Sequence, residues 1–180
     1  PNPVDISLFS GKERTRDGAD LNIVFLGRLV PRKGCKEFLK AISVISSKKL
    51  IKGSFKVHIC GHGHQANELK NYVLANNLSE NVVFHGFVSE EDKINLLQNA
   101  DIAVFPAIEG ESFGIVLIEA MAAKSGVVMA ANNPGYKSVM GSIPEAIFNP
   151  KETQELASLI SKIANSPDLA ESIHIKQQAL

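Results

Sequence analysis

Short apolar stretches recur along this chain, and a segment long enough for a helix follows almost every one. The stretches lie near Ile23–Leu26, Lys56–Cys60, Val82–His85, Ile102–Phe105, Val127–Ala130 and Ala146–Phe148. Helical patterns run between them near Cys35–Ser47, Ala66–Asn76, Glu90–Gln98 and Phe113–Ala123, and Thr153–Ala164 and Asp168–Leu180 follow Pro150. Strands this apolar cannot have one face in water, as antiparallel strands commonly do. The alternation predicts an α/β fold, a doubly wound parallel sheet with helices on both faces. Such sheets bind ligands beyond the carboxyl ends of their strands. Gly27-Arg28, Gly61 to Gly63, Gly86-Phe87 and Glu109 to Glu111 all follow strands, so they are expected along one edge.

The 180 residues suffice for one sizeable domain with its own core. Residues 1–20 are polar and turn-rich and read as a linker, which leaves 21–180 as the domain. Lys+Arg and Asp+Glu balance at 19 each, so no net field recommends nucleic acid or an anionic membrane as a partner. No apolar run approaches the roughly 18 residues of a membrane span, and no signal-peptide pattern opens the chain. Cys35 and Cys60 are too few for a disulfide framework and read as reduced thiols of a cytosolic protein.

Two glutamates, Glu111 and Glu119, carry the most chemical information. Glu111 closes the loop after the Ile102–Phe105 strand, and Glu119 sits in an apolar run, Ile115 to Ala123, that reads as a buried helix. A carboxylate there costs several kcal/mol unless something hydrogen-bonds it. Ligand hydroxyls would do so; a local backbone N–H, for Glu119, or the helix dipole, for Glu111, is the competing explanation. Ser112 is placed as the N-cap, so the amides of Phe113, Gly114 and Ile115 would form an anion site. Carboxylate, helix N-terminus, carboxylate suits a polyol, a phosphate and a second diol, the parts of a sugar nucleotide in order.

Other segments add to this. Gly27-Arg28 through Lys33-Gly34 follows the first strand and opens a helix. Arg28 offers a planar fork and Lys33 a point charge, a pair suited to a diphosphate, although a solvated basic loop would read the same way. Gly61-His62-Gly63-His64 is a turn that lets backbone approach a ligand, but it lacks the third glycine of a dinucleotide fingerprint. His62 and His64, without nearby acids or thiols, do not make a metal site, and none is assigned. Phe87-Val88 at a strand end would meet a base or simply pack, and His58 and His85 read as structural.

These residues resemble the C-terminal, donor-binding domain of retaining family 4 glycosyltransferases of the GT-B fold, a Rossmann-like half. The resemblance runs from Pro1-Asn2-Pro3-Val4-Asp5 through Gly27-Arg28-Leu29, Lys33-Gly34, Phe84 to Val88, Ala100-Asp101 and Phe105-Pro106 to the Glu111–Glu119 segment. Gly110 to Leu117 is most similar to the phosphatidylinositol mannosyltransferase branch. By this resemblance Arg28 and Lys33 would hold the donor diphosphate and Glu111 the sugar. Phe113, Gly114 and Ile115 amides would lie near sugar and phosphate, with Glu119 on the ribose and the Phe87-Val88 backbone on the base. It implies hexose transfer with retention and without a metal or cofactor, from GDP-mannose first and a UDP-sugar next. It also implies a truncated C-terminus and a missing N-terminal acceptor domain, so that this piece alone would be inactive. The location would be cytoplasmic, at the inner face of the membrane if that missing half provides contact. A non-catalytic nucleotide-binding module or a sugar-nucleotide epimerase are the alternatives. Three departures bear on sugar preference: Pro3 for a glycine, Ser138 for a glutamate, and Lys124-Ser125-Gly126 for Gly-x-Pro in a turn expected close to the site.

Overall fold

The computed structural model describes residues 20–180, so the Pro1–Asp5 motif, Pro3 and nearly all of the linker lie outside the described residues. Within them six strands form one parallel sheet: β1 (Leu21–Leu26), β2 (Phe55–Cys60), β3 (Val82–Gly86), β4 (Ile102–Phe105), β5 (Val127–Ala131) and β6 (Ile147–Phe148). Seven helices connect and follow them: α1 (Cys35–Lys48), α2 (Ala66–Ala75), α3 (Glu90–Asn99), α4 (Ile115–Ala122), α5 (Pro134–Met140), α6 (Thr153–Ala164) and α7 (Pro167–Gln178). Spatial order is β3-β2-β1-β4-β5-β6, so the winding reverses at β1. With right-handed crossovers that reversal sends the helices to opposite faces, and it opens a crevice between β1 and β4. β4 and β5 are buried at every position, as expected of central parallel strands.

Helix α1 shows how the sequence dictates packing. Phe38, Leu39, Ile42 and Ile45 form one apolar stripe and are fully buried. The helix packs against α2 and α6, while α7 packs on β5, α4 and α6. At the far edge β6 pairs only with Ala130 and Ala131. The buried Gln177 side chain of α7 serves the backbone of Val128, accepting from its N–H at 3.0 Å and donating to its carbonyl at 2.6 Å. It replaces strand partners that β6 is too short to supply.

Two sequence expectations need correction, and one helix has no counterpart in the sequence reading. The segment after β5 is a helix, α5, with Asn133 as N-cap accepting from the Tyr136 N–H at 2.9 Å and Pro134 in its first turn. Ser112 does not cap α4: the helix begins at Ile115, its N-cap is Gly114 at φ 69°, and Ser112 is exposed two residues earlier. Finally, Lys124–Gly126 leads from the end of α4 into the start of β5, with the Gly126 N–H on the Ala100 carbonyl at 2.9 Å. That turn lies at the amino edge of the sheet, away from the carboxyl edge. Lys124 itself takes a left-handed backbone, φ 55°, where the resemblance expected glycine. Cys35 and Cys60, at a helix start and a strand end, are both buried free thiols, and burial pushes Cys60 up to about 12.

His58 and His85 form a hydrogen-bonded pair, Nδ1 to Nε2 at 2.9 Å, and His58 Nε2 faces Asn22 Oδ1 at 3.2 Å. Because the Asn22 oxygen only accepts, His58 is protonated at Nε2 and its Nδ1 accepts from His85. Burial first, then the His85 ring and the Lys56 ammonium, hold the His58 pKa below its ordinary 6.5. The unfolded chain therefore takes up a proton at higher pH than the folded one. Stability is fully present above pH 6.5 and is lost as pH falls through the lowered folded value. Thermal unfolding from pH 8 to 5 should show a falling midpoint whose slope flattens in His58→Gln; equal slopes in both proteins would remove this role. One proton limits the slope to about 1.4 kcal/mol per pH unit.

Candidate functional site

After β1 the chain forms a basic loop pinned on both sides. The Gly27 N–H donates to the Cys60 carbonyl at 3.0 Å and that of Leu29 to His62 at 2.8 Å, with Leu29 buried as the anchor. A 3-10 turn, Pro31–Lys33, starts on a proline that pre-sets its backbone and ends at Gly34, φ 71°. A Cβ on Gly34 would sit 2.0 Å from the Pro106 carbonyl oxygen, so only glycine lets this loop press on the end of β4. Arg28 is exposed, whereas Arg32 and Lys33 are half-buried and turned to the loop after β4.

That second loop, Pro106 to Gly114, carries Glu111. The Ile108 N–H donates to the Arg32 carbonyl at 2.8 Å, and Arg32 Nη1 donates to the Gly110 carbonyl at 3.1 Å. Lys33 Nζ forms a direct ion pair with Glu111 Oε1, and Arg32 Nη1 stands 4.0 Å from the same oxygen. The Glu111 side chain is 12% exposed, so the pair is largely out of water. Helix α5 supports the loop from behind. Asn133 Nδ2 donates to the Ala107 carbonyl at 2.9 Å, and a Cβ on Gly135 would lie 2.0 Å from the Glu111 carbonyl oxygen. Tyr136, 2% exposed, packs its ring on Gly114. Burial, and then the Glu111 charge, raise its phenol pKa.

Glu119 lies on the second turn of α4, and Lys93 of α3 satisfies it at 3.1 Å. Lys93 also pairs with Glu90 at 2.7 Å. Burial pulls the Lys93 pKa down, but hydrogen bonds to Glu90 and Glu119 outweigh it and the pKa is raised. Neither Lys93 nor the supporting role of Asn133, Gly135 and Tyr136 follows from the sequence reading. The signals that could have found the lysine are Ser89, which caps α3, and its spacing one turn beyond Glu90; nothing in the sequence marks its partner across the fold.

The expected residues thus gather at the carboxyl edge beside the β1/β4 switch point. Lys33 and Glu111 touch, and Arg28 projects from the same loop as Lys33. Ser112, Phe113 and Ile115 are exposed at the mouth of α4, Phe113 by 52%. The first amides of α4, at Ile115 and Val116, have no partner within the helix, and that of Leu117 is satisfied by the Gly114 carbonyl at 2.9 Å. Gly61 serves the chain's own backbone: a Cβ there would lie 1.8 Å from the Gly27 carbonyl oxygen. Phe87 is 80% exposed beside the His62 ring, and with Val88 it borders a cavity of about 620 Å³ that runs along β1 to β3 against α3, past His58 and His85. Among the described residues no three His, Cys, Asp or Glu side chains group as metal ligands, and no helix is long and apolar enough to cross a membrane.

The doubly wound sheet with helices on both faces is of the Rossmann-like, GT-B type, and it brings cations and carboxylates together at its switch point. The chain belongs to the glycosyl transferases group 1 family, whose description it matches over residues 10–179. It is 36% identical over 145 residues to a phosphatidyl-myo-inositol mannosyltransferase of Mycobacterium tuberculosis, covering 78% of this chain and 36% of that protein. A 2-deoxystreptamine N-acetyl-D-glucosaminyltransferase of Niallia circulans is 28% identical over 155 residues, covering 85% and 38%. The chain spans just over a third of the length of these relatives. Among solved structures, the C-terminal domain of a glycosyl transferase group 1 family protein from Francisella tularensis superimposes with a TM-score of 0.80 at 21% identity, covering 98% of this chain and 95% of that one. The catalytic domain of a cholesterol-alpha-glucosyltransferase from Helicobacter pylori gives 0.73 at 21%, covering 89% and 96%, and both confirm the fold.

Proposed function

We propose that this domain binds the nucleoside-diphosphate sugar of a glycosyltransferase that moves a hexose to an acceptor with retention and without a metal. The observation that carries the reading is the arrangement at the switch point: Lys33 on Glu111, Lys93 on Glu119, and the first turn of α4 between the two acids. Glu111 accepts from sugar hydroxyls, the first α4 amides and Lys33 face the diphosphate, and Arg28 closes on it from the exposed side of its loop. Glu119 accepts from the ribose, sharing its charge with Lys93. The base lies against the Phe87-Val88 backbone. As the leaving diphosphate gains charge, Arg28, Lys33 and the helix N-terminus stabilise it, which is where such donors act most strongly.

The mannosyltransferase relatives support GDP-mannose as donor, among them a GDP-mannose-dependent mannosyltransferase of Corynebacterium glutamicum at 31% identity over 78% of this chain and 37% of that protein. A UDP-sugar is next. The acceptor and the remaining catalytic groups belong to a further domain, such as the two thirds of the relatives that this chain does not span. Any membrane contact falls to that domain too.

Calorimetric titration with GDP, UDP and ADP in the presence of EDTA tests the reading. Selective binding of one diphosphate supports it, and a requirement for added divalent cation would refute metal independence. Glu119→Ala should weaken nucleotide binding by about 1.5–3 kcal/mol, the range for charged hydrogen bonds. Glu90 remains as the Lys93 partner, so the fold tolerates the change. Unchanged affinity would remove Glu119 from the ribose.

A further inference from the structure

We infer that the Lys33–Glu111 ion pair makes this site discriminate against a nucleoside diphosphate that carries no sugar, an inference that rests on the binding reading above. Lys33 and Glu111 are 19% and 12% exposed and bind each other directly, with Arg32 at 4.0 Å from the same carboxylate oxygen and on the Gly110 carbonyl at 3.1 Å. The phosphate-facing cation is therefore already neutralised by the sugar-facing acid. A free diphosphate entering this site must compete with Glu111 for Lys33. Its terminal phosphate also brings no donor, so it cannot replace Lys33 as a partner of the acceptor-only carboxylate, and Glu111 keeps its hold on the cation.

A sugar on that phosphate removes one charge and places hydroxyl donors where the carboxylate needs them. Glu111 then exchanges part of its bond to Lys33 for hydroxyl donors, and Lys33 is free to turn to the diphosphate. Substrate is kept and spent diphosphate is released by one and the same pair. Arg32 holds the loop ahead of Glu111 at two points, its carbonyl accepting from the Ile108 N–H and its guanidinium donating to the Gly110 carbonyl, so the acid stays in register during this exchange.

The test is a titration of wild type, Glu111→Gln, Lys33→Ala and the double variant with inorganic pyrophosphate, GDP and GDP-mannose. Glutamine keeps the shape of the side chain and removes its charge. Glu111→Gln is expected to bind pyrophosphate and GDP about tenfold tighter and GDP-mannose about tenfold weaker, within the range of measured coupling between charged neighbours. In the Lys33→Ala background the gain on pyrophosphate should shrink to about twofold, because the pair no longer exists. Equal shifts for GDP and GDP-mannose in Glu111→Gln would overturn the inference while leaving the binding reading intact. A pyrophosphate gain that persists in full without Lys33 would also overturn it, by showing a general field effect. Wild type that binds neither GDP, another nucleoside diphosphate nor its sugar conjugate would overturn the underlying reading itself.

Discussion

With Arg28 and Lys33 both replaced by alanine, affinity for a nucleoside diphosphate is expected to fall by two orders of magnitude or more. Each removes a charge-assisted hydrogen bond, typically about 1.5–3 kcal/mol, and together they leave only the α4 amides on the phosphates. The uncharged nucleoside, which touches neither side chain, should lose little. Arg28 is exposed, so its removal leaves the fold intact; removing Lys33 leaves Glu111 with the Arg32 guanidinium at 4.0 Å. Loss of both phosphate-facing cations makes the double variant the most severe of these binding changes. Calorimetry with diphosphate, monophosphate and nucleoside reads the gradient. Equal losses across the three would place both side chains away from the phosphates.

Gly61→Ala should reduce folding stability by about 3–5 kcal/mol. Gly61 has φ 139°, outside the range of L side chains, and a Cβ would lie 1.8 Å from the Gly27 carbonyl oxygen and 2.8 Å from its carbon. Backbone strain of this kind costs about 1–3 kcal/mol and overpacking against rigid atoms about 1–3 kcal/mol more. Neither strand end can yield, because the Gly27 N–H is held by Cys60 and that of Gly61 by the Gly86 carbonyl at 2.7 Å. Gly53 is the internal comparison, with φ 90° but nothing within 4 Å of a Cβ. Gly53→Ala therefore reports strain alone, and the difference between the two unfolding midpoints isolates the clash. Matching midpoints would mean that the β1 and β2 ends separate freely.

The layered fold was legible because strand and helix periods alternate so regularly, and β4 was placed to the residue at Ile102–Phe105. Boundaries failed where backbone chirality overrode side-chain preference. Ser112 carries a good capping oxygen, but Gly114 in the left-handed region starts α4 two residues on. Helix α5 was hidden by glycine and proline at its start, although Asn133 before Pro134 was a capping signal in plain sight. Of the site, the acids and the basic loop stood out as charges in apolar or glycine-rich settings. Their partners did not: Lys93 meets Glu119 across 26 positions and Lys33 meets Glu111 across 78, and local spacing carries no information about either. The Lys124 turn was misplaced for a different reason. A helix-to-strand connection in a parallel sheet always returns to the amino edge, so topology decided its location against the resemblance.

The β1/β4 seam bears on how the two sides of the sheet hold together. β1 is matched to β2 along six residue pairs but to β4 along only two, Ile23 with Ile102 and Val24 with Ala103. Residues up to α3 and residues from β4 onward therefore meet along a line of only two paired positions, as few as at the β5/β6 edge, reinforced by α1 on α6. Lys33 comes from one half and Glu111 from the other, as do Lys93 and Glu119. A ligand grasped by all four works as a rivet across that line, and occupancy becomes a mechanical property, read in the slowed amide exchange of strands it never touches.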